Sequence, residues 1–196
     1  MVNNFELIKN YLTFPTENSF YMLQLIKRKK ENPDMSKNNE VIHTYYIYSK
    51  EDLDELQEKI ISTCNTENCR AYINVNDLDL ERVALNALCE TSRLIRDKEY
   101  KKIIRVWSAA CGATGGSINK VWLLDFDGEE VNMKDEIVNL INSLEPNPGV
   151  NKVRLEVPTK NGLHLMVKPF NIKEFSKHYN TDDFLHKDNP TILYIP

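Results

Sequence analysis

KVRLEVPTKNGLHLMVKPF, residues 152–170, decides the fold of this chain. Val153, Leu155 and Val157 alternate with Arg154 and Glu156, the period-2 pattern of a strand with one buried face. PTKNG at 158–162 supplies turn-forming residues. Residues 163–170 then form a second apolar run, so the pair predicts an antiparallel hairpin. TILYI at 191–195 predicts a further apolar strand close by in sequence. Consecutive strands of this kind, mixed with helices, predict an α+β fold. Its central sheet is mixed or antiparallel and flanked by helices.

Outward from the hairpin, KVWLLDF at 120–126 is the most apolar strand, and a helix over about 133–143 connects it to residue 152. A short helix over about 171–178 follows the hairpin. In the first half, FYMLQLI at 20–26, VIHTYYIY at 41–48 and RAYINVN at 70–76 read as strands, with the polar stretch 27–39 as a loop. Ser49 caps a helix beginning EDLDELQE, whose acids suit a first turn. Asp79 caps another, with apolar positions 80, 83, 84, 87 and 88 continuing through 94, 95, 103 and 104. CGATGGS at 111–117 reads as a flexible loop. Its glycines lead into a strand and not a helix, which excludes a phosphate loop. All six glycines lie at or after residue 112, so close backbone approaches belong to the second half.

The chain has 196 residues, 25 Lys and Arg against 29 Asp and Glu, and a net charge of −4. With 41% hydrophobic residues it can bury a core, which excludes wholesale disorder. No apolar run reaches the roughly 20 residues of a membrane span. MVNNFELIKNYL at the start has no apolar signal core, so a cytoplasmic location without a membrane partner is expected. The acidic balance excludes coating nucleic acid by bulk charge. It leaves local basic surfaces at 27–30, at 93–105 and at 151–187, where seven cations face four acids. Cys64 and Cys69 are spaced C-x4-C with no second pair, and His43, His164, His178 and His186 offer no H-x3-5-H spacing. Free thiols are therefore expected over a zinc site.

Two short motifs carry chemistry. In WLLDFDG at 122–128, Asp125 and Asp127 project to one side of a strand while Leu124 and Phe126 project to the other. Two carboxylates side by side at a buried strand end are costly unless a cation or strong hydrogen-bond donors compensate, and hard oxygen ligands at this spacing suit Mg²⁺ or Mn²⁺. In VPTKNGLHLMV, His164 follows the Gly162 turn and alternates away from Leu163 and Leu165. A histidine there can donate to phosphate oxygens, with Lys160 and Lys168 adding charge.

A strand ending in Asp-x-Asp-Gly, followed 37 residues after Asp127 by a turn and Gly-x-His, resembles the catalytic core of the archaeo-eukaryotic primase superfamily. That superfamily includes prim-pol enzymes and the polymerase domains of end-joining ligases. Asp125 and Asp127 match its metal-holding first motif. Gly162, Leu163 and His164 match its second, with glycine where many members have serine. The resemblance spans roughly residues 70–196. It implies a primase-like catalytic core there, with residues 1–69 as an N-terminal α/β element packed on it. It also implies a two-metal nucleotidyltransferase that joins a nucleoside triphosphate to a 3′-hydroxyl along a DNA or RNA template. Asp125, Asp127 and a third acid would hold Mg²⁺ or Mn²⁺. His164, Lys160 and Gly162 would bind the nucleotide. Asp188 is the candidate third acid, although Lys187 stands where a hydrophobic residue usually precedes it; TDD at 181–183 competes. Two alternatives stay open: a non-catalytic primase-like protein that binds nucleotide or nucleic acid, and a phosphatase of the haloacid dehalogenase type. LLDFDG resembles the opening motif of the latter, yet Glu129 replaces its usual threonine.

Overall fold

A computed structural model of the protein describes residues 1–113, 120–188 and 190–196. Its first sheet contains β1 (Val2–Asn3), β2 (Ser19–Arg28), β3 (Asn39–Ile47), β4 (Arg70–Ile73) and β5 (Leu78–Asp79). The second is built from β6 (Trp122–Asp127), β7 (Val153–Pro158), β8 (Gly162–Val167) and β9 (Leu185–His186). The last strand, β10 (Thr191–Ile195), returns to the first sheet. The strand order is β1-β10-β4-β2-β3 in the first sheet, with β5 against β2, and β7-β8-β6-β9 in the second. Among the described residues every pairing is antiparallel. The fold is thus α+β, with antiparallel sheets flanked by helices. The expected hairpin is β7–β8. Thr159 N–H donates to the Gly162 carbonyl at 3.0 Å, and Gly162 N–H donates to Thr159 Oγ1 at 3.1 Å, closing its turn.

The helices are α1 (Phe5–Tyr11), α2 (Lys50–Glu67), α3 (Leu80–Arg96), α4 (Val106–Ala113), α5 (Lys134–Ser143), α6 (Ile172–Phe175) and α7 (Thr181–Phe184). Ser49 and Asp52 form a reciprocal capping box at the start of α2, and Asp79 accepts from Arg82 N–H at the start of α3. Among the described residues no helix is long and apolar enough to cross a membrane.

One apolar cluster runs from α1 and α2 through the first sheet to Val121, Leu123, Val157 and Met166, so the two sheets share an interior. α3 and α4 bury Phe20 and Met22 from another part of the first sheet. Leu124, Phe126, Leu165 and Val167 pack against Ile137 and Ile141 of α5 and Phe175 of α6. Two asparagines join the sheets through backbone groups. Asn4 donates to the Pro158 and Ile192 carbonyls at 2.9 and 3.0 Å. Asn76 donates to the Val121 carbonyl at 2.8 Å and accepts from Val121 N–H at 2.7 Å.

Three expectations need correcting. The boundary at residues 69 and 70 does not mark an appended element, because β2 lies between β3 and β4 while β10 lies between β1 and β4. Residues 1–69 and 70–196 therefore build one sheet jointly. The long helix after Asp79 ends at Arg96, where Lys98 adopts a left-handed φ of 58°; a 3₁₀ turn at Tyr100–Arg105 and α4 follow. Of the loop expected at 111–117, residues 111–113 belong to α4, and 114–117 lie outside the described residues.

Removing both Asn76 bonds orphans the Val121 backbone. Asn76→Ala is expected to lower stability by roughly 1–3 kcal/mol, read as a shift in the urea unfolding midpoint.

Candidate active site

Strand alternation puts Asp125 on the face of β6 that also carries Leu123, while Leu124 and Phe126 meet the helices behind it. Antiparallel pairing sets Asp125 opposite His164 and Asp127 opposite Gly162. The two motifs are therefore adjacent on one surface of the sheet. Directly opposed residues bring their Cβ atoms within about 5 Å, and His164 Nε2 lies 3.4 Å from Asp125 Oδ1. Its Nδ1 lies 2.9 Å from the hydroxyl of the buried Thr191. A carboxylate beside Nε2 favours the tautomer protonated there, which leaves Nδ1 to accept from Thr191.

Gly162 is fixed by sterics. A Cβ at this position would collide with the Phe126 carbonyl oxygen of the paired strand. Glycine lets β8 lie close to β6 where Asp127 ends the ladder. Asp127 itself is exposed and shares a capping box with Glu130, whose carboxylate accepts from Asp127 N–H at 3.0 Å.

These groups open onto a cavity of about 350 Å³ between the sheets. Asp125, Asp127, His164 and Lys160 line one wall, and Arg28, Lys30, Arg70 and Tyr72 of the first sheet and its flanking turn line the other. Arg28 donates to the Tyr72 hydroxyl at 3.4 Å, and Arg70 pairs with Glu31. The Arg70 Nε is buried without a partner, a donor left over for a ligand. Acidic and basic walls thus face each other across one gap.

Burial pushes the Asp125 carboxyl above its usual range, and the neighbouring Asp127 pushes it further; His186 and Arg28 act in the opposite direction. Burial also depresses His164 to about 4, so the imidazole is neutral at pH 7. A divalent cation relieves both penalties on Asp125, and hard carboxylate oxygens fit Mg²⁺ or Mn²⁺. Among the described residues no three His, Cys, Asp or Glu side chains converge as a ready cage. Two carboxylates still suffice for Mg²⁺, which commonly completes its shell with water and substrate phosphates.

Asp188 is not among the residues lining the cavity. Its carboxylate lies 3.2 Å from Lys120 Nζ, and Lys187 sits 5.5 Å over the Trp122 ring. The competing TDD segment forms α7, where Asn180 caps the helix and Asp182 and Asp183 are exposed. His186 occupies the wall instead. It pairs with Leu123 across β9–β6 and so shares the face of Asp125. The sequence carried no strand signal for a two-residue β9. Arg28 and Lys30 stood out as part of a basic cluster, but only the β2–β4 pairing of Ile26 with Arg70 brings that cluster to the carboxylates. All four cysteines are free thiols.

The unfolded chain takes up a proton on histidine near the ordinary value of 6.5, whereas folded His164 resists protonation down to about 4. Folding stability therefore falls as pH falls through that window. Asp125 acts oppositely: its raised value adds stability at low pH that is lost as pH rises through it. In EDTA, His164→Gln is expected to flatten the decline of the urea midpoint between pH 6.5 and 4.5; an unchanged decline would refute the assignment. No protein-family model, curated protein or solved structure matches this chain, so the arrangement is interpreted from its own chemistry.

Proposed function

We propose that the cavity between the sheets is a nucleotidyltransferase site of the primase-polymerase kind, taking an NTP or dNTP and adding its nucleotide to a 3′-hydroxyl. The observation that carries this reading is the register of Asp125 opposite His164, facing a wall of Arg28, Lys30 and Arg70. A triphosphate needs both halves: carboxylates for the metal that accompanies it and cations for its free oxygens. Bound Mg²⁺ or Mn²⁺ would supply Lewis-acid activation of the α-phosphate and of the attacking hydroxyl. Asp125 and Asp127 would hold it. Neutral His164, with its proton on Nε2, would donate a hydrogen bond without adding charge. Arg28, Arg70 and Lys160 would bind the β- and γ-phosphates and stabilise pyrophosphate as it leaves.

One observation favours the non-catalytic alternative. No third carboxylate lines the cavity among the described residues, and Asp188 is engaged by Lys120. A site of this composition can bind a nucleotide without turning it over.

Calorimetry with Mn²⁺ and a nucleoside triphosphate is expected to show binding by the wild type. Asp125→Ala/Asp127→Ala should weaken it at least a hundredfold. Absence of binding by the wild type would sink the assignment. Binding without primer extension would favour the non-catalytic reading. His186→Ala is expected to weaken triphosphate binding about tenfold, and Asp188→Ala to change it less than twofold; the reverse ranking would restore Asp188 to the site.

A further inference from the structure

A second, larger cavity of about 730 Å³ lies at the opposite end of the intersheet gap. Strand β2 runs from one to the other. β2 contributes Arg28 to the first and Tyr21 to the second; β6 contributes Asp125 to the first, and Val121, the residue just before β6, lines the second. The charged side chains of the second cavity are Lys120, Lys152, Arg154 and Lys168 against a single carboxylate, Asp77. That excess is notable on a chain of net charge −4.

The four cations are not equally engaged. Lys120 is paired with Asp188 at 3.2 Å. Lys152 is 2% exposed, and its ammonium donates only to the carbonyls of Asn142, Leu144 and Asn147, at 3.3, 2.8 and 3.3 Å. Its hydrogen bonds are satisfied, while among the described residues no carboxylate pairs with its charge. Arg154 is exposed and Lys168 half-buried, and neither has a carboxylate partner among the described residues. Concave walls of low polarisability focus the field of such charges and concentrate anions. Beside them Tyr11, whose hydroxyl donates to the Val75 carbonyl, is half-buried and forms an apolar wall with Pro146 and Pro169, while Tyr21 lies beneath it in the core. A bare inorganic anion would leave that wall and most of the volume unused, whereas flat rings stack on such surfaces.

We infer that this cavity is a second nucleotide site, holding phosphate on Arg154 and Lys168 and a base against Tyr11, Pro146 and Pro169. It requires neither a metal nor the Asp125–Asp127 pair, so it stands apart from the proposed activity. The ligand is either a free nucleotide or one residue of a nucleic-acid strand, since both present the same phosphate and base.

The test is calorimetry of the full chain in EDTA, with AMP and a thymidine tetranucleotide as probes. The wild type should bind at least one of them, and more weakly as salt is raised. Arg154→Gln/Lys168→Gln, two positions outside the core, should weaken binding at least tenfold, while Asp125→Ala/Asp127→Ala should leave it within twofold. Comparable binding of both probes supports a free nucleotide, and tenfold tighter binding of the tetranucleotide supports a strand. The inference is overturned if neither probe binds, or if Arg154→Gln/Lys168→Gln binds as the wild type does. It is also overturned if binding is lost in Asp125→Ala/Asp127→Ala, an outcome that leaves the carboxylate site standing.

Discussion

Strand β6 has apolar packing on both faces, and that constraint governs the rest of the molecule. Leu124 and Phe126 are fixed against α5 and α6, and Leu123 belongs to the interior shared with the first sheet. Strand geometry then allows Asp125 no direction but the gap between the sheets. A carboxylate in that position is partly desolvated and repelled by Asp127, which is why it resists ionisation. The cationic wall of the first sheet compensates without closing on it. Arg28 is drawn toward the Tyr72 hydroxyl and Arg70 toward Glu31, so neither collapses onto Asp125.

The features legible in the sequence were those set by local periodicity. The β7–β8 hairpin, the split of Asp125 and Asp127 from Leu124 and Phe126, and the caps at Ser49 and Asp79 all depend on neighbours within a few residues. The missing features depend on long-range pairing. His186 lies in a strand of two residues, too short for any alternation, and reaches the cavity only because β9 pairs with Leu123 and Leu124. Arg70 and Arg28 come from strands whose partnership no pattern of period two can specify. The boundary placed at residue 69 failed for the same reason: β10 inserts between β1 and β4 from the far end of the chain. Asp188 looked suitable by interval along the chain, but its side chain turns to Lys120.

Charge is sorted in space more sharply than in sequence. The acidic excess is carried in part by the exposed face of α2, with Glu51, Asp54, Glu55 and Glu58 open to solvent. The intersheet gap carries the cations: Arg28, Lys30, Arg70 and Lys160 at one end, Arg154 and Lys168 at the other. A net charge of −4 therefore describes neither end of the gap.

The hydrogen bond between His164 and Thr191 joins residues of different sheets, since His164 belongs to β8 and Thr191 to β10. Both groups are buried, so water cannot replace either partner at low cost. The width of the gap and the aim of the imidazole are consequently a single mechanical coordinate. Parting the sheets would break this bond and turn the histidine loose at the same moment, and a ligand that holds the histidine in place would tie the two sheets together.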